Sequence, residues 1–252
     1  MERLGGVNIG NPVEIYRDEK ERSIWNFLLK PTNINILLQN NLSELDLNED
    51  GNTITILELA CGNGSNSRVI IKGLSEIYPR LKFKVVLMDV SDELLKEALV
   101  RYEELLDNLN GNIIVEAVQL NLNSKNEAKS FLNEYTEVFD LIFSIKFFHN
   151  TNVKIDNNIA YIISKLLKKG GVFSTQFYNE VNLKIKIKKT LAYLIHYKYS
   201  NSVYIDRVAA DFNLSRHNVK LAYCSYSSNK NFKLIKTNHF HSSQIENYYK
   251  KI

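Results

Sequence analysis

The chain has 252 residues, of which 44% are apolar and 11% aromatic, so it can bury one sizeable core and is too hydrophobic for extended disorder. Its formal net charge of +4 is unevenly placed: residues 181–252 hold 13 Lys/Arg against 3 Asp/Glu, leaving 19 against 25 in the first 180. An anionic partner and a solvated lysine-rich face both fit that asymmetry, and the lack of an arginine cluster favours the face.

Two helices are expected first, over residues 17–29 and 33–45, and Pro31 separates them. A turn-rich stretch at 48–52 then leads into a repeated strand–helix rhythm. Strands are expected at 53–59, 83–88, 112–120, 139–145 and 172–177. Helices are expected at 65–77, 92–108, 125–135 and 157–167. Apolar strands separated by single helices imply a Rossmann-like α/β fold, a doubly wound and mostly parallel sheet. After Asn179 the rhythm breaks into a helical stretch near 183–199 and a short one near 207–212. Residues 220–227 and 231–239 read as two strands around a Ser-Asn-Lys turn, an antiparallel edge pair. The organisation expected is an N-terminal helical cap over 1–52 and one domain over 53–252, with 183–219 as a substrate-side insertion.

Other classes are excluded by what is missing. No run of about 18 apolar residues offers a membrane span. Positions 1–11 lack a basic and then apolar leader. The two cysteines, Cys61 and Cys224, support neither a disulfide framework nor a cysteine-based zinc site. A reducing, cytoplasmic location is therefore expected. No metal site is expected.

The strongest chemical signal runs from Ile56 through Glu58, Ala60, Cys61, Gly62 and Gly64 to Ser65. It leaves an apolar strand and opens a helix. Small residues there let the backbone turn tightly and come close to a ligand, and helix-start amides can face its polar groups. The second strand ends in Asp89, beside that turn in a doubly wound sheet, where a carboxylate can accept both ribose hydroxyls of a nucleoside. Ser91 and Asp92 already supply the following helix cap.

These residues resemble the class I S-adenosylmethionine-dependent methyltransferases. The first family motif is matched by Glu58, Ala60, Gly62 and Gly64, with alanine where the family has its first glycine. Asp89, followed by Val90, matches the second, and Asn121-Leu122 lies where the family often has an aspartate near the adenine. The sequence Phe139-Asp140-Leu141-Ile142-Phe143-Ser144 resembles the fourth-strand motif, and Leu166 to Gly171 the turn before the fifth strand. The resemblance covers about residues 53–177. It implies that S-adenosylmethionine is bound by Glu58, Ala60, Gly62, Gly64, Asp89, Val90, Asn121, Leu122 and Ser144. A nicotinamide oxidoreductase fits less well: its third glycine is Ser67 here, and its acidic residue lies nearer the glycines than Asp89 does.

The loop after the fourth strand should face the methyl group, and His149 is the candidate general base, weighed against a capping or lining role. That loop lacks an Asx-Pro-Pro-aromatic motif, and no Pro-Cys pair serves cytosine chemistry. The acceptor expected is an oxygen or nitrogen of a small molecule. RNA is the alternative, through the basic C-terminal third and a looser likeness to mRNA-cap guanine-N7 enzymes. A non-catalytic S-adenosylmethionine-binding module is the remaining reading.

Overall fold

The computed structural model describes residues 53–106, 112–145, 157–178, 230–241 and 244–252. The expected helices of the first 52 residues, the 183–219 insertion, the strand at 220–227 and the loop bearing His149 lie outside them.

The described residues form one seven-stranded sheet in the order β3-β2-β1-β4-β5-β7-β6. The strands are β1 (Thr53–Leu59), β2 (Lys82–Asp89), β3 (Ile113–Gln119), β4 (Phe139–Ile145), β5 (Leu167–Tyr178), β6 (Phe232–His241) and β7 (Gln244–Lys251). Between them run α1 (Ser65–Ile77), α2 (Asp92–Leu106), α3 (Lys125–Tyr135) and α4 (Asn157–Leu166). The five strands β1 to β5 are parallel, and β7 and β6 close one edge antiparallel.

Two apolar layers hold the helices. On one face Ile54, Ile56, Val85 and Leu87 pack under Ile70, Ile71 and Leu74 of α1 and Leu95, Ala98, Tyr102 and Leu105 of α2. On the other, Leu57, Leu59, Val86 and Met88 pack under Phe131 and Tyr135 of α3 and Ile159, Ile163 and Leu166 of α4. Alternate residues of β1 and β2 serve opposite faces, which is why those strands read as unbroken apolar runs. The chain winds outward from β1 to β3 and returns to the far side of β1 through β4. The order therefore reverses between β1 and β4, where α/β sheets open a crevice at their carboxyl ends.

Two expectations are corrected. The antiparallel edge pair contains a strand not expected from the sequence: β6 pairs with the C-terminal strand β7, Phe232 opposite Lys251 and His241 opposite Gln244, while 220–227 lie outside the described residues. The fifth strand also starts at Leu167 rather than 172. Between the pairs Phe139–Leu167 and Leu141–Val172, one residue of β4 stands against four of β5, so the Lys-Lys-Gly-Gly segment bulges out of the strand. Gly170 takes φ 80°, and a Cβ on Gly171 would lie 3.0 Å from the Lys168 carbonyl oxygen and 3.1 Å from that of Phe139. The bulge aims Lys168 at Asp140, whose carboxylate it meets at 2.8 and 2.9 Å. The same carboxylate accepts the Thr55 amide at 2.8 Å. The fourth-strand aspartate is thus a clasp at the amino ends of the strands, away from the crevice.

Candidate cofactor site

Three of the five backbone positions between β1 and α1 are left-handed: Ala60 at φ 54°, Gly62 at 56° and Gly64 at 69°. The two glycines serve different needs. A Cβ on Gly62 would meet nothing within 4 Å, so open space borders the turn there. A Cβ on Gly64 would lie 3.0 Å from Cβ of Ala98, so this glycine lets α1 close onto α2. Ala60 holds the same backbone region with a side chain, at a steric cost of about 1–2 kcal/mol. Gly64 caps α1 with no side-chain hydrogen bond to its first amides. Those donors face the crevice end of the sheet.

Asp89 holds the second wall. It is buried, and its Oδ2 accepts the Gly62 amide at 2.9 Å while Oδ1 accepts the Ser91 amide at 3.0 Å. The expected cap is present as well: Ser91 Oγ accepts the Leu94 amide at 3.3 Å. Each carboxylate oxygen retains a second acceptor site, so Asp89 can organise the turn and still receive ribose hydroxyls. The backbone beside it is tied down. The Leu120 amide donates to the Asp89 carbonyl at 2.9 Å, and the Gln119 side chain donates to the Val90 carbonyl at 3.1 Å. Val90 itself stands half exposed at the crevice.

The remaining expected residues sit as follows. Asn121 is exposed; its Oδ1 accepts the Asn123 amide at 3.0 Å and its own amide donates to Glu127 at 2.9 Å. Leu122 packs against the layer under α3 and α4, as does Ala60. Ser144 is buried near the carboxyl end of β4, and its hydroxyl donates to Thr175 of β5 at 3.0 Å. Glu58 is buried one strand away from both Leu87 and Phe143. Burial first, and then the nearby Asp89, push its carboxyl up to about 8, against the lowering influence of the adjacent Ser67 hydroxyl. His149 lies outside the described residues.

Cys61 fills the core at 5% exposure, and burial, followed by the charges of Glu58 and Asp89, drives its thiol far above the range of a nucleophile. Sequence reasoning passed over Ser67 and Tyr102, which converge on Glu58 from α1 and α2. The available signal was the α2 spacing Leu95, Ala98, Tyr102, which puts the tyrosine on the buried face.

Open space at Gly62, a fixed carboxylate at Asp89 and an uncapped helix start fit a nucleoside with an amino-acid tail. A family model described as a methyltransferase domain matches residues 50–210, well over half of the chain. No curated protein matches the sequence. Among solved structures, a SAM-dependent methyltransferase from Aquifex aeolicus is 12% identical, aligned over 96% of this chain and 100% of that one at a TM-score of 0.53. The trans-methyltransferase CalH, in complex with SAH, is 14% identical over 96% of this chain and 62% of its own, also at 0.53. The CMeT domain of the citrinin polyketide synthase is 14% identical over 94% of this chain and 58% of that chain, at 0.59. At these identities the likeness is one of fold. With the family match, the conclusion is that the chain belongs to the methyltransferase-domain family and is a class I enzyme dependent on S-adenosylmethionine.

Proposed function

We propose that this enzyme methylates an oxygen or nitrogen of a small molecule, with the cofactor held by Glu58, Ala60, Gly62, Gly64, Asp89, Val90, Asn121, Leu122 and Ser144. The observation that carries the cofactor site is the Asp89–Gly62 hydrogen bond, which joins the acidic residue of β2 to the turn of β1 at the sheet's reversal point. Bound there, S-adenosylmethionine supplies a methyl group already activated on sulfur. The protein's task is to align the acceptor and exclude water. His149, in the loop after β4, serves as general base for a hydroxyl or protonated amine. The cap at 1–52 and the insertion at 183–219 supply the walls of the acceptor pocket, and the enzyme works in a reducing, cytoplasmic setting.

One contact favours the small molecule over RNA. Lys251, from the basic C-terminal segment, has its ammonium on Glu137 at 2.7 Å and on the Leu167 carbonyl at 2.6 Å. That charge serves the fold, as a lysine-rich structural face would require.

The test is calorimetry with turnover. Asp89→Ala should weaken S-adenosylmethionine binding tenfold or more, since a charge-assisted hydrogen bond is worth about 1.5–3 kcal/mol. His149→Ala should lower turnover roughly 10²–10⁴-fold and leave that affinity unchanged. Full activity of the histidine variant would remove the base assignment. RNA binding whose salt dependence is steep and vanishes when Lys184, Lys186, Lys188 and Lys189 become alanine would replace the small molecule with RNA.

A further inference from the structure

A polar cluster lies buried directly beneath the glycine-rich turn. Glu58 is 1% exposed, Ser67 0% and Tyr102 1%. The Glu58 Oε2 atom and the Tyr102 hydroxyl are both fully enclosed with no hydrogen-bond partner. Ser67, close enough to bias the ionisation of both, donates its hydroxyl to the carbonyl of Gly64 at 3.2 Å. That carbonyl also accepts the first helical amide of α1, from Arg68, at 3.0 Å. Ser67 has one proton and two acceptors to serve, the Gly64 carbonyl and the Glu58 carboxyl.

We propose that Ser67 and Tyr102 are positioning residues for the cofactor, coupling the charge on Glu58 to the shape of the Gly62–Gly64 turn, so that cofactor binding releases a proton from Glu58. With Glu58 neutral, its own proton can satisfy a buried hydroxyl oxygen and Ser67 stays on Gly64. With Glu58 ionised, the hydroxyls of Ser67 and Tyr102 must turn to the carboxylate, and the Gly64 carbonyl gives up a partner. A sulfonium brought to the turn attracts the ionised form through a poorly screening interior. The groups facing Glu58 are Cys61 after β1, Asp89 on β2, Ser67 on α1 and Tyr102 on α2; Arg68 of α1 acts on Tyr102. Burial keeps Glu58 neutral up to about pH 8, which leaves a proton to release.

The inference rests on the cofactor assignment, and one experiment separates their failures. Binding of S-adenosylmethionine and of its demethylated product, which has a neutral thioether, is measured by calorimetry from pH 6 to 9, in two buffers of different ionisation heat, for the wild type and Glu58→Gln. The cofactor's own amine titrates near pH 8 in both proteins, so the wild type minus the variant isolates Glu58. Below pH 8 the wild type should release up to one proton more than the variant, and its affinity should rise up to tenfold more per pH unit. The product, lacking the sulfonium, should show a smaller difference. Ser67→Ala and Tyr102→Phe should shift the pH midpoint of that difference upward, which a purely structural loss of stability would not do. Binding with equal proton counts in wild type and Glu58→Gln overturns the proposal and leaves the cofactor assignment standing. Absence of S-adenosylmethionine binding at every pH overturns both.

Discussion

The glycine-rich turn and the antiparallel edge stand at opposite extremes of how this protein holds itself together. At the turn, three left-handed residues, a helix start without a side-chain cap and two orphaned buried polar atoms come together, Tyr102 being brought in from α2. At the edge, Phe173, Phe232 and Tyr249 form one aromatic cluster with ring centroids 6.1–6.4 Å apart, and Lys251 clasps Glu137 beside it. The turn stores strain and unmet hydrogen bonds at the proposed cofactor site. The edge has its aromatic cluster buried and the charge of its clasp paired. Local strain at a functional site persists when the surrounding structure over-determines it, and here the packed layers on both sides of β1 do so.

The comparison can be broken from either end. The largest effect should come from the edge. Tyr249 is fully buried against Phe173, so Tyr249→Ala should cost about 3–5 kcal/mol in denaturant unfolding. Cofactor affinity in the folded fraction should hold. A loss of affinity without a loss of stability would mean that the edge shapes the site.

The second effect is a pH dependence at the turn. Glu58 has its carboxyl raised from 4.5 to about 8 by burial, so the folded state holds a proton that the unfolded state has released across that window. Stability of the unliganded protein is therefore greatest below about pH 4.5 with respect to this group. It falls as pH rises through the window, by roughly tenfold in folding equilibrium per unit, and levels off above about pH 8. Glu58→Gln should flatten that part of the profile. An unchanged slope would show that Glu58 is ionised in the fold.

Gly64→Ala should be smaller, about 1–2 kcal/mol for a side chain in the left-handed region, with a contact to Ala98 adding to it. Cofactor affinity should fall with it as α1 is pushed off α2. The smallest effect should be a gain. Ala60→Gly relieves the strained φ but adds unfolded-state entropy, leaving a net stabilisation below about 1 kcal/mol, readable as a small rise in denaturation midpoint. Destabilisation by this change would mean that the Ala60 methyl group packs better than its backbone suffers.

Much of the parallel half was legible in the sequence, because its evidence is local. Strand β1, helices α1 and α3 and strand β4 fall where their apolar periodicity and flanking turns put them. Ser124, one residue before α3, caps it by accepting the Glu127 amide. The Asp89 and glycine pairing followed from strand order alone, since a doubly wound sheet sets the end of β2 beside the turn after β1.

The sequence by itself determined the parallel rhythm and the place of the glycine-rich turn between β1 and α1, since both are written in residues that are neighbours along the chain. Only the tertiary structure decided that residues 244–251 insert between β5 and β6, because pairing across a sheet depends on long-range register that no local pattern fixes. The same holds for the bulge that sends Lys168 to Asp140 and for the meeting of Glu58, Ser67 and Tyr102, which come from three elements. Each residue looks ordinary in its own strand or helix. Their chemistry arises from burial and from the removal of water as the elements close on one another.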